Sequence, residues 1–189
     1  MTPITDVPSA RSGDQIESRL VVAGVGGGEG ASTVTALLAT LLADAEGRAR
    51  AVLSRADDPI GDRLDFAPGE DGVIADVGPH GADETLRPGD VAILVCAATT
   101  GSIERARARL VDADARGLAA AALVVCARTP AEQRSGRVRA RQAALVDRRI
   151  VPLAFDPALA DGSRVDLDRL APASIEAARA ILGLLGIPR

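Results

Sequence analysis

The chain has 189 residues, 47% of them hydrophobic, 25% charged, with a net charge of −4, which is enough for one full core and tight for two. No run of about 18 apolar residues is present to cross a membrane, and the one histidine, His80, excludes a multi-histidine metal site. All 22 basic residues are arginine, and the two cysteines, Cys96 and Cys126, sit inside apolar runs and read as core thiols of a reducing compartment.

In chain order, the first segment, MTPITDVPSARSGDQ, lacks a hydrophobic signal core, so residues 1–17 are expected to be flexible and the protein cytoplasmic, with 18–189 as a single domain. Next, the apolar run Leu20 to Ala23 meets a glycine-rich stretch, Gly24 to Thr33 (GVGGGEGAST), which opens a helical pattern from Thr33 to Glu46 closed by Gly47. Short apolar runs at Ala51 to Ser54, Gly72 to Val77, Val91 to Ala97, Ala119 to Cys126 and Ile150 to Leu153 suit strands buried on both faces of a parallel sheet. Between them lie helical patterns at Ser102 to Arg116 and from Thr129 to about Asp147. The second is opened by a capping box of Thr129 and Glu132, with Pro130 at its first position. A last helix is expected from about Ser174 to Leu185. The alternation predicts a doubly wound α/β domain with a mainly parallel sheet of about six strands, flanked by helices, with ligand at the strand C-termini.

The stretch from Gly24 to Thr33 carries the chemistry. A strand, a glycine-rich loop and a helix N-terminus together turn successive backbone N–H groups toward one point and make a phosphate cradle. Gly27, Gly28, Glu29, Gly30, Ala31, Ser32 and Thr33 are the residues expected to hold phosphate. A dinucleotide fingerprint fails on spacing, because the third glycine, Gly30, falls one residue late after Gly24 and Gly26. The loop departs from the usual phosphate-loop pattern at its main cation: Ala31 stands where a lysine neutralises the β and γ phosphates, just before Ser32. An arginine bias would have turned a needed lysine into arginine, so alanine marks a loss of charge rather than compositional drift. Losing one charge-assisted hydrogen bond removes about 1.5 to 3 kcal/mol, which binding can survive more easily than transition-state stabilisation can.

GVGGGEGASTVTALLATLLA resembles the P-loop and first helix of the ParA/MinD partitioning ATPases, and GASTV is similar to the TadZ/CpaE branch, where alanine often replaces the loop lysine. VLSRADDPIG (Val52 to Gly61) resembles the second strand and its Asp-x-Asp-Pro element, and GVIADVGP (Gly72 to Pro79) the strand whose aspartate, here Asp76, supports magnesium. DVAILVCAATTGSIERA resembles the strand and helix that follow, and VPLAFDPALADG (Val151 to Gly162) the loop lying over the adenosine. The resemblance runs over about residues 19 to 187. Several positions depart from it. The family's signature lysine, which reaches across a dimer, falls on Gly26, and the water-orienting aspartate on Ala56. The adenine-reading asparagine falls near Ala127, and about 18 residues separate Asp58 from Asp76 where the family carries a longer insertion.

The resemblance implies a degenerate P-loop protein without catalytic residues, acting as a localisation or assembly scaffold of pilus or secretion machinery. ATP with magnesium on Ser32 and Asp76 is the implied cofactor, if any is bound. A protein partner, a homodimer and nonspecific DNA contact are the associations it allows. Two alternatives stand beside this reading: a slow ATPase using a substitute arginine such as Arg55, and a nucleotide-free interaction module. Arginines 105, 107 and 109, and those at 134, 137, 139, 141, 148 and 149, read as solvated helix faces or as a weak basic patch. Ile181 to Ile187 reads as packing against the sheet rather than as a membrane tail.

Overall fold

The computed structural model describes residues 19–54, 60–64, 73–79, 90–115, 120–135 and 150–186. Its strands are β1 (Leu20–Gly24), β2 (Ala51–Ser54), β3 (Val73–Gly78), β4 (Val91–Ala97), β5 (Ala120–Cys126) and β6 (Ile150–Leu153). They form one six-stranded sheet in the order β2-β3-β1-β4-β5-β6, every neighbouring pair parallel. The helices are α1 (Ala31–Glu46), α2 (Thr100–Ala115), α3 (130–135), α4 (Pro157–Ala160) and α5 (Pro172–Leu184), with 3-10 turns at Ile60–Arg63 and Leu167–Arg169. This is the doubly wound α/β architecture expected from the apolar runs. Gly72 and Ala119, where two of these strands were expected to begin, and α3 beyond residue 135 lie outside the described residues.

The core explains why the strands read as unbroken apolar runs. Alternate side chains of β1 face opposite sides of the sheet. Leu20 and Val22 join one cluster with Leu37, Leu38 and Ile181 of α1 and α5, while Val21 and Ala23 join another with Ile103 and Leu110 of α2. Both faces are covered, so polar alternation has no place in the central strands.

Glycines set the limits of α1. Gly30, with φ +97°, turns the chain into the helix, and Gly47, with φ +64°, ends it. The helix begins at Ala31, two residues before the expected Thr33, because the loop itself supplies the first turn. Likewise α5 starts at Pro172 rather than Ser174. Its entry is fixed by a distant carboxylate: Asp156 Oδ2 accepts from Ala171 N–H at 2.9 Å and from Ser174 Oγ–H at 2.7 Å.

The capping box at the start of α3 is only half formed. Glu132 N–H donates to Thr129 Oγ1 at 3.1 Å as expected, but the Glu132 carboxylate accepts from Arg128 N–H at 2.8 Å instead of returning to Thr129. The Arg128 guanidinium adds two further donors to the same carboxylate and draws it away from the cap.

Candidate functional site

The C-terminal ends of β1, β2, β3, β5 and β6 open into a cleft of about 550 Å³, within the range of small-molecule sites, roughly 300 to 1,000 Å³. The chain leaves β1 in opposite directions across the sheet, toward β3 and β2 on one side and toward β4, β5 and β6 on the other. A parallel sheet places its ligand crevice at such a reversal. The glycine-rich loop forms the floor: Gly28, Glu29, Gly30, Ala31, Ser32 and Thr33 all line the cleft. Gly27 belongs to the loop but not to that lining.

The start of α1 is built for close approach. Its N-cap, Gly30, offers no side-chain hydrogen bond to the first turn, so the positive end of the helix faces the cleft without a built-in carboxylate. A Cβ on Gly30 would lie 3.4 Å from Cys126 Sγ. The loop is thus seated directly on the end of β5. Ala31 contributes only a methyl group, packed on the core below.

Glu29 departs most from the expected cradle. Its residue is 4% exposed, and the carboxylate turns toward α2, where Oε1 accepts from Ser102 Oγ–H at 2.5 Å and Arg105 Nη2–H at 2.8 Å. Ser102 Oγ in turn accepts from Ala97 N–H at 3.2 Å, which fixes the hydroxyl as donor to Glu29. The side chain therefore tethers the loop to α2. The same pair accounts for Gly26, because a Cβ there would fall 2.9 Å from Glu29 Oε1 and 3.5 Å from Arg105 Nη2. A lysine stem at position 26 cannot share this space with Glu29 as placed.

Asp76 is buried at 4% and also lines the cleft. The β1–β3 register slips after Val22, so that Ala23 pairs with Gly78. The resulting turn lets Asp76 Oδ1 accept from Gly78 N–H at 3.0 Å, with Gly78 at φ +65°. Ser32 and Asp76 are hard oxygen donors on one cleft, which fits a magnesium ion arriving with phosphates. Among the described residues no cluster of three or more His, Cys, Asp or Glu forms a metal site by itself.

Two arginines that the sequence did not single out for the site reach it. Arg63 Nη1 donates to Thr33 Oγ1 at 2.7 Å and Nη2 to Leu159 O at 3.0 Å, spanning the cleft from α1 to α4. Arg128 Nη1 donates to Gly28 O at 3.2 Å, while Nη2 holds Glu132 at 2.6 Å. That hydrogen bond holds the Glu132 carboxyl below its usual value, and the same contact raises Arg128. Arg55, the substitute cation considered from sequence, lies outside the described residues, as do Ala56, Asp57 and Asp58. Phe155 is a further cleft residue, half-buried and outside both core clusters.

Cys126 lines the cleft and Cys96 lies beneath it; both are free thiols. Burial pushes both upward, Cys96 to about 12, so neither is a nucleophile near neutral pH.

No family model and no curated protein matches the sequence. Solved structures match the fold. A plasmid partition protein from Borrelia burgdorferi B31 bound to AMPPNP aligns with a TM-score of 0.60 at 13% identity, covering 89% of this chain and 98% of that one. MinD in the MinC:MinD cell division complex of Aquifex aeolicus aligns with a TM-score of 0.62 at 16% identity, covering 88% and 96%. A Cyanothece McdA–ATP complex aligns with a TM-score of 0.61 at 13% identity, covering 92% and 98%. By architecture, the chain has the fold of the ParA/MinD-type P-loop ATPases.

Proposed function

We propose that this chain is a nucleotide-binding protein of the ParA/MinD type that binds ATP without turning it over and serves as a localisation or assembly scaffold, in the manner of the TadZ/CpaE branch. The observation that carries this reading is a cleft floored by the glycine-rich loop, with Ala31 at the position where the resemblance expects a lysine. Gly28, Gly30, Ser32 and Thr33 keep the cradle open, and Ser32 with Asp76 would receive the magnesium of a bound nucleotide. Nucleotide would act as a structural ligand that favours one shape of the protein, by the amount of its differential affinity. Two of the similar structures hold AMPPNP and ATP, and MinD is found with MinC. A protein partner is accordingly the class proposed here, with a pilus or secretion machine as its setting. Arg63 and Arg128 on the cleft wall favour a second reading, a slow ATPase with a substitute arginine.

The test is dye-reported thermal unfolding with Mg-ATP and Mg-ADP, beside a phosphate-release assay. Tryptophan and tyrosine are absent, so intrinsic fluorescence gives no signal. Ligand at a hundred times its Kd adds about 2.7 kcal/mol and raises the midpoint by about 5 to 10 °C. A rise that vanishes in the Ser32→Ala, Asp76→Ala double variant, without phosphate release, supports the scaffold; steady release favours the slow ATPase. No rise at millimolar ATP leaves a nucleotide-free interaction module.

A further inference from the structure

Arg63 combines several features. Its backbone is fixed: Arg63 O accepts from Val165 N–H at 2.9 Å, and the next residue, Leu64, is buried in the core. The side chain is only partly exposed and projects along the cleft to Thr33, in the first turn of α1. Its two acceptors among the described residues, the Thr33 hydroxyl and the Leu159 carbonyl, are neutral. Nε–H is buried and meets no acceptor.

Among the described residues no carboxylate forms an ion pair with Arg63. The other arginines at this end of the sheet are different: Arg105 is paired with Glu29 and Arg128 with Glu132. Asp161 feels the charge of Arg63, but its carboxyl is held low first by the hydroxyl and N–H of Ser163 and is fully exposed.

A partly buried guanidinium without a counter-charge is costly, and here it faces the positive pole of α1, which carries about half a charge of the same sign. Two positive poles held face to face on a cleft are complementary to an anion placed between them. Ala31 leaves room for that anion and supplies no charge of its own.

We propose that Arg63 supplies the phosphate-neutralising charge that the loop lacks at Ala31, so that the polyphosphate of a nucleotide is gripped from the turn after β2 rather than from the loop. This rests on the nucleotide reading above. The guanidinium would exchange its neutral acceptors for phosphate oxygens, which would also loosen the strap between α1 and α4. The chemistry selects for charge: triphosphate over diphosphate over monophosphate, with little regard for the base.

Isothermal titration of the full chain with ATP, ADP, AMP and sodium tripolyphosphate tests this, using wild type, Arg63→Gln and Arg63→Lys. In Arg63→Gln, Kd should rise roughly tenfold to a hundredfold for ATP and tripolyphosphate and less for AMP, with partial recovery in Arg63→Lys. The unliganded Arg63→Gln protein should unfold at or above the wild-type midpoint, because a repulsive charge is gone. Equal ATP affinity in wild type and Arg63→Gln overturns the proposal and leaves the nucleotide reading standing. A uniform loss for ATP and AMP, together with a lowered unliganded midpoint, also overturns it, by making Arg63 a structural strap. Failure of wild type to bind ATP or tripolyphosphate overturns both.

Discussion

Single residues at the cleft carry out tasks that their type alone does not announce. Gly30 is the clearest, since its φ of +97° strains any side chain there, while the Cys126 sulfur, 3.4 Å from its missing Cβ, would be only an ordinary contact. Gly30→Ala should cost about 1 to 2 kcal/mol from the backbone alone and lower the thermal midpoint by several degrees. Cys126→Ala in the same chain should recover little, because space is not the main obstacle. The pair of Arg128 and Glu132 predicts a pH dependence. The hydrogen bond from Arg128 holds the Glu132 carboxyl below its ordinary value of 4.5. Its stabilisation is therefore present above that pH and lost as pH falls through the lower folded value. The midpoint difference between wild type and Glu132→Gln should be constant from pH 6 to 8 and shrink toward zero in acid. Cys96 and Cys126, with thiols pushed up by burial, should resist a disulfide reagent at pH 8 in the native protein and both react after unfolding. Rapid native labelling of either would contradict the packing.

Elements are joined by a few buried polar contacts between distant parts of the chain. Asp156 caps α4 through Ala158 N–H at 3.0 Å and reaches Ala171 and Ser174 at the start of α5. It is 4% exposed, and all three donors lose their partner together if it is removed. Asp156→Ala should cost about 3 kcal/mol, a fall of roughly 6 to 12 °C in the midpoint for a chain of this size, read by thermal unfolding. An Asp156→Asn chain that keeps one acceptor should fall by less. Glu29 makes the corresponding tie between the loop and α2. Nothing in GVGGGEGAST separates a glutamate aimed at phosphate from one buried against a helix about 70 residues later. The strand and helix periods were legible because they are local, and the glycine stop of α1 because it is a backbone requirement. The starts of α1 and α5 were each misread by two residues. A turning glycine and a remote carboxylate set them, and neither belongs to the helix pattern.

At the scale of the whole molecule, strand order makes the site. β1 lies between β3 and β4, so residues from five strand ends and the α4 segment meet around the loop. The plasmid partition, MinD and McdA structures match this fold with TM-scores of 0.60 to 0.62 at 13 to 16% identity. Such a match speaks for the fold, whereas turnover depends on charges at particular atoms. The sequence by itself determined the alternation of strands and helices, the parallel sheet and the glycine-rich loop between β1 and α1, because each depends on residues a few positions apart. Only the tertiary structure decided that Glu29 faces α2, that Gly26 is bounded by the Glu29–Arg105 pair, and that Arg63 lies on the first turn of α1. Those outcomes depend on side chains brought together across 30 to 76 positions of chain, where packing of the two sheet faces, and no local pattern, chooses the neighbours.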